Sequence, residues 1–340
     1  MSTSKKKVSD TTFLDQSLRP SVWNEYVGQK HIKENLQILL TAAEERKHPP
    51  EHILFYGPPG LGKTTLAHLI AHETGRQIKI TSGPAIEKVG DLASLLTNLS
   101  HGDIIFIDEI HRLNKVVEEI LYPAMESGVL DIIIGKGPSA RTIQLDLSPF
   151  TLIAATTRIA LLSSPLRSRF SGGVFRLDFY DSKEIEQIIK RSSKILGVEI
   201  DENALEEIAK RSRFTPRTGN YLLKRCRDYA QINKKSLDKE TVNKALKILG
   251  VDELGLSLTD RKILEIIIKK FNGGPVGLKT LAAAVSEEEA TIEEVVEPYL
   301  IQLGLLERAS RGRQATARAY GHLNVNYPKK LDDKKQNKLL

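Results

Sequence analysis

The sequence predicts an α/β head built on a parallel sheet, then a small all-helical unit, then a three-helix unit with a basic flap. Three observations carry that expectation. From Ile53 to about Asp178, short β-rich runs (ILFY, QIKI, DIIFI, TLIAAT, VFRLDF) alternate with longer amphipathic stretches, the pattern of parallel strands joined through covering helices. Past Tyr180 the strand-like runs stop and helical periodicity takes over. The 340 residues also exceed what one hydrophobic core organises, so two or three domains are expected.

The first strand, Ile53 to Tyr56, runs into GPPGLGKT (Gly57 to Thr64), and a helix is expected from residue 65 to 74. Strand, glycine-rich loop and helix in that order define a P-loop. Gly57, Gly60 and Gly62 let backbone N–H groups close around phosphate oxygens, Lys63 neutralises the β/γ charge of ATP, and the Thr64 hydroxyl is a Mg²⁺ ligand. Downstream, the apolar run Ile104 to Ile107 delivers Asp108 and Glu109 to the carboxyl end of a buried strand, where a doubly wound sheet places its ligand crevice. Asp108 suits the Mg²⁺ shell and Glu109 suits activation of the attacking water. A further strand, Thr151 to Thr156, ends in Thr157, whose hydroxyl can orient that water or meet the γ-phosphate. After it, SSPLRSRF sets Arg167 and Arg169 beyond a helix-breaking proline, where an arginine can be offered to another subunit's nucleotide. Between the strands, VLDIII, a GKGPSA turn and RTIQLDL read as an inserted β-hairpin over 129–147.

Residues 182–197, 203–212, 219–233 and 238–249 read as helices, with Ser182, Asp201 and Asp238 as N-caps. VDELGLS is a linker, and helices follow at 260–271, 278–285 and 288–303. Behind them, Leu305-Leu306 and ERASRGRQATARAY form a basic, β-like flap, the pattern of a winged helix. The expected domains are therefore 1–181, 182–254 and 255–340. Lysines at both tips (Lys5 to Lys7; Lys329, Lys330, Lys334, Lys335) read as solvated, disordered tails. With 40% hydrophobic and 27% charged residues, and no apolar run longer than stretches such as Leu36 to Leu40, the chain carries no membrane segment. MSTSKKKVSD has no apolar stretch after its lysines, so cytoplasmic residence is expected. The net charge of +7 suggests an anionic partner. The single cysteine, Cys226, reads as a buried thiol, which leaves no disulfide or zinc site to expect.

These motifs belong to the AAA+ ATPases, and nearly the whole chain resembles the RuvB family of bacterial Holliday-junction branch-migration ATPases. The likeness lies in LRPSVWNEYVGQ (18–29), the P-loop, IDEIHRLNKVVEEILYPAME (107–126), LDIIIGKGPSARTIQLDL, ATTRIALLSSPLRSRF (155–170), TPRTGNYLLKR (215–225) and RGRQATARAY (311–320). It implies an AAA+ P-loop domain, a small all-α lid and a winged-helix head, assembled as a homohexameric ring around duplex DNA. It further implies ATP at the subunit interfaces, a RuvA tetramer docked on the 129–147 hairpin, a RuvC-type resolvase nearby, and a role in recombination, repair and the SOS response. By the same likeness Leu18 and Arg19 line the adenine side, and Gly60, Lys63, Thr64 and Thr65 cradle phosphate. Thr157 is sensor 1, Arg169 the finger, Tyr180 a nucleotide contact and Arg217 the sensor-2 arginine. Arg308, Arg311 and Arg313 touch DNA. Glu126 falls at a nucleotide-contacting stretch, although Ser127 and Gly128 follow it where the family carries an acidic residue. SGGVFRL is one residue longer than is usual, and ERASRGR replaces RTPRGR. Two other readings share the P-loop: a clamp-loader ATPase, whose motor subunits commonly carry a zinc-binding cysteine cluster, and an ATP-switched DNA-binding scaffold, which needs neither Glu109 nor Arg169.

Overall fold

The computed structural model describes residues 16–134 and 141–328. They form two compact units, 1–199 with 215–220 and 200–214 with 221–340 as far as these are described. Thr215 and Arg217 lie against the P-loop at Gly60, and Gly219 packs on Ile185 and Ile189, so this short segment joins the first unit.

In the first unit, β1 (Ile53–Tyr56), β2 (Ile78–Ser82), β3 (Ile104–Asp108), β6 (Thr151–Thr156) and β7 (Gly173–Arg176) form one sheet in the order β2-β3-β6-β1-β7. All neighbours are parallel. The inner strands read as unbroken apolar runs because helices cover both faces. Phe55 and Phe106 are fully buried, each contributing about 2 kcal/mol of apolar burial. The expected VFRLDF strand stops at Arg176, because its neighbour β1 has only four residues before the chain turns into the P-loop.

The inserted hairpin pairs β4 (Val129–Ile134) with β5 (Arg141–Asp146). Its root extends the core: Leu130 is fully buried, and Ile132 and Leu145 pack against the same cluster as Leu121 and Phe150. Ile132 is thus partly covered by the core, whereas its cross-strand partner Ile143 is exposed. The turn at 135–140, and both lysine-rich tails, lie outside the described residues.

Helix Ser182–Ile195 is capped by Asp181 rather than Ser182. The Asp181 carboxylate accepts the Glu184 N–H at 2.7 Å, and the Glu184 carboxylate accepts the Asp181 N–H at 3.0 Å, a reciprocal capping box. In the second unit, helices Glu202–Lys210 and Lys239–Ile248 are capped by Asp201 and Asp238 as the sequence suggests. Cys226 is fully buried, and burial pushes its thiol up to about 12. The winged-helix part comprises helices Leu258–Lys270 and Leu278–Val285, a broken third helix, and a ribbon of β8 (Leu306–Ala309) and β9 (Gly312–Ala315). The sequence suggests one helix over 288–303, but Ile292–Val296 is a π turn followed by helix Glu297–Gln302. Pro298 explains the break: it has no N–H to give to Glu294, and its ring excludes that carbonyl, so the preceding turn widens. Among the described residues no helix is long and apolar enough to cross a membrane.

Candidate functional site

The P-loop leaves β1 at Tyr56 and enters helix Lys63–Glu73 two residues earlier than the periodicity suggests. Gly60 has φ +84, and a Cβ there would stand 3.1 Å from Arg217 Cβ, so close packing as well as backbone conformation demands glycine. Lys63 Nζ donates to the carbonyls of Gly57 (2.7 Å) and Pro58 (2.9 Å), holding the loop curled. Burial pushes its ammonium down to about 8, against the opposing pull of the Glu109 and Asp108 charges. A bound phosphate would favour the charged form. Thr64 and Thr65 occupy the first helical turn, half-buried, where free N–H groups and the helix dipole favour an anion.

Because β3 and β6 are neighbours, their carboxyl ends bring Asp108 and Glu109 beside Thr157. Asp108 Oδ1 accepts the Glu109 N–H at 3.0 Å. Thr157 Oγ1 donates to Glu109 Oε2 at 3.3 Å, so the expected water-orienting hydroxyl and the expected base share one corner of the site. His111 Nδ1 approaches the same Oε2 at 3.2 Å, a contact that no motif singled out.

The other residues expected around the nucleotide come from distant parts of the chain. The buried Leu18 gives its carbonyl to Arg191 Nη1 at 2.9 Å, and Arg19 gives its own at 3.4 Å; Arg191 also pairs with Glu25 at 2.6 Å. Tyr180 is buried behind the P-loop: its hydroxyl donates to Leu61 O (3.1 Å) and its oxygen can accept from the Tyr26 hydroxyl (3.2 Å), and burial pushes it up to about 12. It therefore acts on the site through the loop's backbone. Arg217 opens helix Pro216–Ile232, and its N–H reaches Gly60 O at 3.4 Å. This places the expected sensor-2 residue against the phosphate loop.

Arg169 and Glu126 are together but not at this chain's own P-loop. Arg169 Nη2 donates to Glu126 Oε2 at 2.9 Å and Nη1 to Pro165 O at 2.8 Å, while the guanidinium stacks 4.6 Å above the Tyr122 ring. Tyr122 is fixed in turn by Glu118 (2.7 Å) and Ser163 (2.9 Å). Near this cluster, the Met125 carbonyl meets His52, which precedes β1, whereas the P-loop follows β1. Met125, next to Glu126, thus sits at the end of β1 where the strand begins, whereas the Gly60 loop follows the other end. Arg169 Nε is buried with no hydrogen-bond partner among the described residues.

On the wing, the three arginines differ. Arg313 is largely buried, at 14% side-chain exposure, and its guanidinium pairs with the fully buried Glu297. Arg308 is 54% exposed and donates to the same carboxylate through Nε (2.9 Å) and Nη2 (2.6 Å). Arg311 is exposed at the ribbon's tip. The even trio read from the sequence resolves into one tip arginine, one shared arginine and one that braces the wing. Glu297, unmarked in the sequence, organises them.

The comparisons agree with this anatomy. The chain matches the families described as the Holliday junction DNA helicase RuvB P-loop domain over residues 18–177, the RuvB AAA lid domain over 180–252 and the RuvB C-terminal winged helix domain over 253–324. It is 58% identical over 323 residues to the Holliday junction branch migration complex subunit RuvB of Dehalococcoides mccartyi (strain CBDB1), covering 95% of this chain and 92% of that one. The solved Thermotoga maritima RuvB Holliday junction branch migration motor shares 49% identity and superposes with a TM-score of 0.84, over 92% of this chain and 100% of that one. Sheet, P-loop, lid and wing thus recur along nearly the full length, and the chain belongs to the RuvB family.

Proposed function

We propose that six copies of this chain form a ring around duplex DNA, and that ATP hydrolysed between neighbouring copies drives the duplex through it to migrate a four-way junction. ATP-driven branch migration accords with family membership; the ring and its parts are our reading. The observation that carries the ring is the seat of Arg169, near the end of β1 remote from its own P-loop, so the nucleotide it serves belongs to a neighbouring copy. In each site Lys63 and the P-loop N–H groups hold the phosphates, Thr157 and Glu109 hold the attacking water, and Glu109 takes its proton. Mg²⁺ fits Thr64 and Asp108, one hydroxyl and one carboxylate. Mg²⁺ bound with a nucleotide keeps waters and takes one or two carboxylates beside the phosphate oxygens, so a two-ligand protein set is sufficient. When bound, that ion neutralises charge on the phosphates. Leu18 and Arg19 face the base, Thr65 assists the cradle, and Arg217 couples the lid to the γ-phosphate.

The ATPase domain is 1–181, the lid 182–254 and the head 255–340. A RuvA tetramer docks on the hairpin through the exposed Ile143 side, a RuvC-type resolvase joins the junction, and the work belongs to recombination and SOS repair in the bacterial cytoplasm. Arg311 and Arg308 meet DNA phosphates, and Arg313 holds the wing that presents them. Arg311→Ala is expected to weaken duplex binding and lower the slope of log affinity against log salt by about one. Arg313→Ala is expected to cost the head about 3 kcal/mol, because it strips a partner from buried Glu297. Binding titrations across salt and thermal melts check both; an unchanged slope for Arg311→Ala removes the wing from the DNA path.

A further inference from the structure

We infer that His111 is a positioning residue for ATP hydrolysis, setting which oxygen of Glu109 is free to take the proton of the attacking water. The inference rests on Glu109 being the base. Glu109 has φ +49, a left-handed conformation that costs a non-glycine residue about 1 kcal/mol. The conformation folds Ile110–Arg112 back as a short helical turn, which returns the His111 ring to the carboxylate two residues before it. Gly83 locks the turn from outside: a Cβ there would run into the Glu109 carbonyl oxygen.

The ring is nearly buried and wedged between two strand ends. Its Nδ1 lies 3.2 Å from Glu109 Oε2 and 2.8 Å from Thr156 Oγ1, and that hydroxyl oxygen also accepts the Arg158 N–H at 2.9 Å. A bare nitrogen lone pair at 3.2 Å from a carboxylate oxygen is repulsive, so the proton belongs on Nδ1, with Thr156 Oγ1 at 2.8 Å its nearer acceptor and Glu109 Oε2 at 3.2 Å the longer one. Thr157 donates to the same Oε2. With Thr157 and His111 both directed at Oε2, Oε1 is the oxygen assigned to the attacking water. A histidine serving only as a satisfied core residue would have no reason to reach Oε2 through a strained backbone.

The test uses the full chain with duplex DNA, ATP and Mg²⁺. His111→Leu is expected to lower kcat by about 10- to 100-fold while the KM for ATP stays within about twofold, the loss expected when a reacting group is misplaced by about an ångström. His111→Asn, whose Nδ2 takes the place of Nδ1, is expected to recover most of kcat. His111→Gln, which reaches the Nε2 position, is expected to stay slow. Should the Leu variant fail to fold, the Asn and Gln pair decides. Equal rates for Asn and Gln, a wild-type kcat for Leu, or a change confined to KM would each overturn the inference. Glu109→Gln run in parallel separates the two claims: if it still hydrolyses ATP, the base assignment itself has failed, whereas a dead Glu109→Gln beside an unaffected His111→Leu removes only the role of His111.

Discussion

Glu109→Gln is expected to reduce ATP hydrolysis by about 10²- to 10⁴-fold and leave ATP binding within about twofold. The amide matches the carboxylate in shape and can still accept from Thr157, so the geometry at the ends of β3 and β6 survives. What disappears is the basic oxygen. The phosphate cradle is built separately, from Lys63 and the loop that it curls through Gly57 and Pro58, so affinity has no reason to fall. Hydrolysis assays beside equilibrium nucleotide binding check this, and retained turnover would place the base elsewhere.

Arg169→Ala is expected to cost about 10³-fold in hydrolysis, the scale of removing a finger that meets transition-state charge. In this chain the guanidinium rests on Tyr122 and Glu126, with its Nε unmatched among the described residues, the seat from which the proposed ring would offer it to a neighbour. Mixing therefore rescues: an Arg169→Ala copy supplies an intact P-loop, a Lys63→Ala copy supplies an intact finger, and their shared interface should turn over. Two inactive proteins that regain activity on mixing show a site built in trans. Complete silence of the mixture, with co-assembly verified by size, would mean that Arg169 serves its own chain.

Sequence alone exposed the parts of this machine whose partners are neighbours along the chain. GPPGLGKT declares itself because the strand before it and the helix after it are contiguous with the loop, and Asp108-Glu109 because an apolar run delivers them. Pairings across long separations leave no such trace. Arg313 and Arg308 looked like free cations until Glu297 appeared beneath them, turned there by a π segment that Pro298 provokes. Tyr180 could not be seen supporting Leu61, 119 residues away. Nothing in the sequence shows that Glu126 pairs with Arg169, 43 residues away. The Asp181 cap was legible, since Glu184 stands three residues on; the adjacent serine was the distraction. His111 carried no signal, a lone histidine whose meaning depends on the backbone turn at Glu109.

Whether this ATPase moves junctions is settled by one measurement: strand exchange in a synthetic four-way junction, followed with ATP and RuvA present, with each omitted, and with Glu109→Gln in place of the parent. Duplex products that need ATP and Glu109 and that rise with RuvA are the expected result. Brisk ATP hydrolysis without any strand exchange, RuvA being present and bound, would contradict it and leave a ring-opening or switching ATPase instead.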